Sequence, residues 1–299
     1  MVGETIKVNI PRSSYIETNG ITLHVMRAGN EEGEPVVLLH GFPEFWYGWH
    51  NQIAPLAEAG YRLIIPDQRG YNLSDKPTGV ENYSIDKLVG DVIGLMDVME
   101  YETVRLVGHD WGAAVAWHTA MRYPERIHQL SIMNVPHPDV FSDTIRSDFS
   151  QLLKSWYIFM FQLPGIPEQT IKFNDFNTFT ELMQKEADLR DDEVRRYKEA
   201  WSQPGALTAM VNWYRAAVCH PAANPEDTRI HVPTLMMWGK QDLALSADMA
   251  EPSIDMCDEG KLIFFKNAGH FVQHQRDEKV SQYLLEFFAH GLSSSNSTT

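Results

Sequence analysis

Three side chains stand where chemistry would need them: Asp110 in Gly108-His109-Asp110-Trp111-Gly112, Asp242 in Gly239-Lys240-Gln241-Asp242, and His270 in Asn267-Ala268-Gly269-His270. The pentapeptide follows the short β-prone run from Thr103 to Val107 and precedes a helical pattern. Strand, sharp glycine-flanked turn and helix form the context of a nucleophile elbow, which exposes one side chain at the C-terminal edge of a parallel sheet. Asp110 occupies the position at which such elbows commonly carry serine. Taken alone, the pentapeptide reads equally well as an ordinary tight turn, because glycine and aspartate are common turn residues.

A carboxylate at that position narrows the reaction. Serine attacking a saturated carbon leaves a stable ether, whereas a carboxylate leaves an ester that water can cleave. Aspartate is already ionised near neutral pH and needs no base to activate it. The expected electrophile is therefore an sp3 carbon with a leaving oxygen or halogen. His270 is the candidate base that takes a proton from water, and Asp242 the candidate residue that fixes its tautomer and stabilises the imidazolium. A lone histidine after a strand is more often structural, but the chain order nucleophile, acid, histidine is that of α/β-hydrolases. Cleavage of an Asp110 ester passes through a tetrahedral oxyanion, which requires preorganised N–H donors. The backbone amides of Trp111, at the start of the elbow helix, and of Phe42, in His40-Gly41-Phe42-Pro43, are the candidates for this oxyanion hole.

The surrounding pattern supplies elements to hold these groups. Residues 13–18 and 22–28 alternate apolar with polar around Asn19-Gly20, a strong hairpin signal, and predict an antiparallel edge. Residues 35–40 form a continuous apolar run, the pattern of a strand buried on both faces. A helix over 48–59, a strand over 61–66, a helix over 84–99, the elbow strand and helix, and a strand over 127–133 follow. This alternation specifies a parallel sheet covered on both faces. From 136 to 227 it stops, giving way to aromatic-rich amphipathic helical segments such as 145–161 and 192–201. It resumes with a strand over 233–238, a helix near 247–256, a strand over 261–265 and a helix over 278–289. The domain reading is a core over 1–135 and 228–292, a helical insertion over 136–227, and a polar, disordered tail over 293–299. In open parallel sheets functional groups gather beyond the carboxyl ends of the strands, which is where Asp110, Asp242 and His270 fall.

Composition excludes several function classes. With 299 residues and 43% hydrophobic content, the chain can bury a full core. Its 40 acidic against 25 basic residues give a net charge of −15, which opposes binding to nucleic acid or to an anionic membrane. No apolar run approaches membrane-spanning length and the first residues lack the order of a signal peptide, so a cytoplasmic location is expected. Cys219 and Cys257 imply no disulfide framework. No G-x-G-x-x-G, P-loop or CxxC signal is present, no G-x-S-x-G occurs, and His270 and His274 lack the glutamate of a zincin motif. No metal or cofactor is expected.

On His40-Gly-Phe-Pro-Glu44, Gly108-His-Asp-Trp-Gly112, Asp242, Gly269-His270 and the helical stretch between core strands, the chain resembles the soluble, aspartate-nucleophile epoxide hydrolase family over nearly its whole length. That resemblance implies an α/β class and the α/β-hydrolase fold, with a mostly parallel eight-stranded sheet, helices on both faces and an inserted helical cap. It implies conversion of a small-molecule epoxide and water to a vicinal diol, through a triad of Asp110, Asp242 and His270. It also implies that Tyr157, in Trp156-Tyr-Ile-Phe-Met-Phe-Gln162, and Tyr214, in Asn212-Trp-Tyr-Arg215, hydrogen-bond the epoxide oxygen. Ring opening creates an alkoxide, a poor leaving group unless O–H donors stabilise it as it forms. Trp111, Phe42, His40 and Trp46 are implied as substrate contacts, and monomer and homodimer both stay open.

One departure concerns the region after His270, where many relatives carry a tryptophan and then Glu-x-Pro while this chain has Phe271 and Gln275-Arg-Asp277. Haloalkane dehalogenases share the Asp-His-Asp frame, but commonly hold halide with an asparagine where Phe42 stands here. Haloacetate dehalogenases need arginines beside the nucleophile, where this chain has Trp111 and Ala114. Neither rival has a use for two donating tyrosines. A binding module without turnover would have lost Asp110, Asp242 or His270, and all three are present.

Overall fold

The structure, a computed structural model, describes residues 11–293. Asn19 and Gly20, at φ 47° and 75°, close a hairpin between β1 (Arg12–Thr18) and β2 (Ile21–Gly29). A two-residue loop with both central residues at positive φ matches strand twist, and Asn-Gly tolerates it best. β2 also pairs antiparallel with β4 (Arg62–Pro66). Every other pairing is parallel, through β3 (Pro35–Leu39), β5 (Val104–His109), β6 (Ile127–Met133), β7 (Thr234–Gly239) and β8 (Gly260–Phe265). The result is an eight-stranded sheet in the order β1-β2-β4-β3-β5-β6-β7-β8.

The apolar runs are explained by burial on both faces. Val37 and Leu39 of β3 join Ile64 and Leu106 against α2 (Ile85–Val98) and α3 (Trp111–Arg122), while Val36 and Leu38 join Leu63, Ile65 and Val107 against α1 (His50–Glu58) and the C-terminal helix. Alternate residues of one strand thus serve opposite layers.

Between β6 and β7 the chain forms α4 (Pro138–Ser147), α5 (Phe149–Lys154), α6 (Trp156–Phe161), α7 (Ile166–Glu186), α8 (Asp191–Trp201) and α9 (Ala206–Cys219), with no strand among them. The helical segment expected over 145–161 is divided at Asp148 and Ser155. Asp148 is extended, and its carboxylate accepts the Ser150 amide at 2.8 Å, starting a new helix rather than continuing the old one. α7 is itself broken at Phe173–Phe176, where Asn174, Asp175 and Phe176 have positive φ. The insertion is fastened to core loops. Trp201 Nε1–H donates to the Pro43 carbonyl at 2.6 Å, and Trp213 Nε1–H to the Arg69 carbonyl at 3.0 Å. Gln151 donates to the Ala244 carbonyl at 2.8 Å and accepts the Ser246 amide at 2.9 Å.

After β7, the helix expected near 247–256 shortens to a 3-10 turn (Ala247–Met249) and α10 (Ala250–Ile254). The short α11 (Val272–Gln275) and the longer α12 (Asp277–His290) follow β8. Residues 294–299 of the expected polar tail lie outside the described residues. No described helix is long and apolar enough to cross a membrane.

Candidate active site

The elbow between β5 and α3 places Asp110 at φ 49°, ψ −123°, a conformation that side-chain-bearing residues adopt only under constraint. Such a residue costs about 1–3 kcal/mol and persists because its surroundings enforce it. Its glycine neighbours are required sterically. A Cβ on Gly108 would lie 2.5 Å from the Gly112 carbonyl oxygen, and one on Gly112 would strike the Leu39 carbonyl. A Cβ on Gly41 would meet the Cβ of Asp110 at 2.5 Å, so glycine there lets the loop after β3 approach Asp110.

That approach brings the Phe42 amide to Asp110, whose Oδ1 accepts it at 2.7 Å. Trp111 opens α3, so its amide is among those a helix leaves unpaired. The other oxygen, Oδ2, lies 3.4 Å from Nε2 of His270. Nδ1 of His270 is 2.7 Å from Oδ2 of Asp242. Asp242 is buried, and its Oδ1 accepts the Ala244 and Leu245 amides at 2.8 and 2.9 Å. The three residues, from positions at or after the ends of β5, β7 and β8, therefore meet at one point.

Their charges reinforce one another. Burial pushes the Asp110 carboxyl upward, but the hydrogen bond and charge of His270 outweigh it and hold its pKa below the ordinary value. Burial likewise works upward on Asp242 and is overcome by the His270 charge and hydrogen bond, leaving it lowered. For His270 burial acts downward, yet the Asp242 charge and the bonds to both carboxylates raise it well above 6.5.

On the same cavity as Asp110 stand Tyr157 on α6 and Tyr214 on α9, ring centroids 5.9 Å apart and nearly perpendicular at 82°. Tyr214 packs edge-on to Trp111, ring centroids 5.0 Å apart. Burial, followed by the Asp110 charge, raises both phenols, so each keeps its O–H at neutral pH. Asp110, Trp111, Tyr157 and Tyr214 all line one cavity of about 340 Å³, otherwise walled largely by apolar residues such as Val135, Phe141, Ile158 and Leu245.

Three expected pocket residues are placed elsewhere. The Phe42 ring packs behind Tyr214, centroids 5.1 Å apart, and only its amide reaches Asp110. His40 is fully buried beneath the site, its Nδ1–H donating to the Gly41 carbonyl at 2.9 Å and its Nε2 accepting the Gln68 amide at 3.0 Å. Both ring nitrogens are thus occupied in shaping the loop. Trp46 packs against Phe45 and Tyr47 while its amide donates to Asp67 at 2.9 Å.

Two groups of polar residues escaped the sequence reading. Asn134, at φ 52° just after β6, donates to Oδ2 of Asp242 at 2.8 Å and accepts the Gly239 amide at 3.1 Å, tying two strand ends together. Behind the triad, buried Glu44 contacts Nδ1 of His109 at 3.0 Å and Nε2 of His274 at 2.7 Å, and accepts from Gln273 at 3.0 Å and the Tyr197 hydroxyl at 3.2 Å. Nε2 of His109 then reaches the His270 carbonyl at 3.0 Å. Burial would raise Glu44, but hydrogen bonds from the two histidines carry it well below the carboxylate range. The available signal was a glutamate in the apolar loop His40-Gly-Phe-Pro-Glu44 that follows a buried strand, a place where a charge needs partners.

Comparison with known proteins identifies the fold and the family. Residues 34–277 match the family model for the alpha/beta hydrolase fold. The AB hydrolase superfamily protein YfhM of Bacillus subtilis is 49% identical, over 92% of this chain and 97% of its own length. Human Epoxide hydrolase 4 is 36% identical, over 91% of this chain and 77% of its own. A crystal structure of Bacillus megaterium epoxide hydrolase in complex with an inhibitor superposes with a TM-score of 0.86 at 29% identity, covering 92% of this chain and 100% of that one. By sequence and by architecture, the chain belongs to the epoxide hydrolase family of the α/β-hydrolase superfamily.

Proposed function

We propose that this chain converts an epoxide and water to a vicinal diol through a covalent ester on Asp110, with residues 136–227 acting as the cap that carries the activating tyrosines. One observation carries the reading: an ionised carboxylate and two protonated phenols face a single, largely apolar cavity. Oδ2 of Asp110 attacks one ring carbon and the C–O bond breaks. The departing oxygen takes a hydrogen bond, then a proton, from Tyr157 or Tyr214. The ester has lost the carboxylate charge, so one of the two anions that held His270 protonated is gone. His270 gives up its proton, which restores the tyrosine that protonated the departing oxygen, and as a neutral base it takes one from water, whose oxygen adds to Cγ of Asp110. The tetrahedral oxyanion forms beside the Phe42 and Trp111 amides, then collapses to free diol and carboxylate.

The test is one turnover in water enriched in heavy oxygen, with enzyme in excess over styrene oxide. Water attacks the ester carbonyl, so the label should enter Asp110, detectable by peptide mass, and leave the first diol unlabelled. Label going directly into the diol would eliminate the ester. Halide release from haloalkanes without diol from any epoxide would favour the dehalogenase reading.

A further inference from the structure

The cavity does not end at the reacting groups. Trp111, Ala114 and His118 fall on one face of α3 at i, i+3 and i+7, and all three line it. His118 lies eight residues beyond Asp110, about 12 Å along the axis at ~1.5 Å per residue. Ala114, between them, leaves room over the helix. At about 340 Å³ the space holds a substrate much larger than a bare oxirane. On the facing wall Ala217 and Val218, one turn past Tyr214, border the same space.

His118 is the exception in this far half. Its neighbours Pro136, Pro138, Phe141 and Val218 are apolar, whereas it brings two ring nitrogens. It is 8% exposed; its Nδ1 is buried out of reach of both solvent and cavity with no hydrogen-bond partner, which leaves Nε2 as the ring nitrogen that a molecule in the cavity can meet. Among the described residues no hydrogen bond engages the ring. An unpaired buried nitrogen is costly, and such groups generally find partners. The nearby cation is already engaged: Arg122 bonds Asp86 at 2.6 Å and the Ala223 carbonyl at 3.1 Å. Burial, then the charges of Arg122 and His137, lower the pKa of His118 to about 4. At neutral pH it is an uncharged ring with one N–H and one lone pair.

The geometry points to His118 as the specificity-determining residue for the far end of the substrate, its imidazole hydrogen-bonding a neutral ether, hydroxyl or carbonyl oxygen on the tail of an epoxide laid along α3. A carboxylate in the same place would lose its hydration against apolar walls and an uncharged ring, so the neutral oxygen is the better match. The inference rests on the proposed epoxide hydrolysis and names the substrate class for that site.

The test is a series of terminal epoxides of equal chain length in which one ether oxygen replaces a methylene at successive positions, beside the all-carbon parent. With the wild-type enzyme, kcat/KM should peak for one oxygen position, about two- to tenfold above its neighbours, the range of a single neutral hydrogen bond. In His118→Leu the peak should vanish, so that the ratio of kcat/KM for the favoured ether to that for the all-carbon parent falls to that of its neighbours; His118→Phe repeats the comparison if the first variant does not fold. A flat wild-type profile overturns the inference without any variant, as does a peak that survives in the variants. An equal loss on every substrate in a folded variant reduces His118 to packing and also overturns it. If no member of the series yields diol, the proposed function falls and this inference with it.

Discussion

Nε2 of His270 stands 3.4 Å from Oδ2 of Asp110, while Nδ1 of the same ring is 2.7 Å from Asp242. The imidazole lies between two carboxylates, one of which the proposed reaction consumes. On the proposed mechanism ester formation needs Asp110 ionised and the two phenols protonated, and the lowered pKa of the first and raised pKa of the others keep both conditions met from weakly acidic to weakly basic pH. Ester cleavage needs neutral His270, and so speeds up as pH rises. Rapid-quench mass spectrometry should therefore find a larger steady-state fraction of ester at pH 5 than at pH 8. A fraction that does not change with pH would contradict this partition of roles.

His270→Gln should form the ester and then stall, showing a mass gain of one substrate on the peptide containing Asp110. Asp242→Asn should be slowed by about 10⁴-fold, the order found where an orienting carboxylate is neutralised and the histidine takes the wrong tautomer. An adduct-free His270→Gln would show that the carboxylate is not the nucleophile.

On the proposed mechanism Tyr157→Phe and Tyr214→Phe each remove one O–H from the epoxide oxygen, and each should lower the rate of ester formation by about 10²-fold or more. The double variant should form no ester yet unfold at a temperature near that of the wild type, since both rings stay in place. Normal pre-steady-state alkylation in the double variant would remove the phenols from the reaction.

Glu44→Gln leaves His109 and His274 without their shared anion in a buried site, and should destabilise the fold by about 3–5 kcal/mol in urea at pH 7. The folded-state pKa of Glu44 is depressed, so its contribution is complete above the unfolded value of about 4.3 and is lost as pH falls below it. The gap between variant and wild type should accordingly narrow below pH ~4.3. A gap of constant size down to pH 3 would show that the charge is not what matters.

The core was legible because its signals are local. The Asn19-Gly20 hairpin, the twice-buried strands and the glycines around Asp110 each follow from a short window of sequence, and strand-end order then located Asp242 and His270. The inserted helices were less legible, since Asp148 and Asn174–Phe176 interrupt apolar periodicity that carries on through them. Least legible were contacts made across the chain. Glu44 meets His109 over 65 residues and His274 over 230, and no window holds both partners. His40 shows the converse: a motif histidine beside the site whose two nitrogens are committed to backbone groups.

Trp201 of α8 grips the Pro43 carbonyl, next to the Phe42 amide that holds Asp110, and Tyr197 of the same helix reaches Glu44. At that corner the insertion cannot swing away without dragging along the groups that aim Asp110. None of these groups lines the cavity, whereas Val218 does and is 56% exposed, so a substrate would enter past Val218. A tailed epoxide would come in oxirane first, leaving its far end to be read near the threshold.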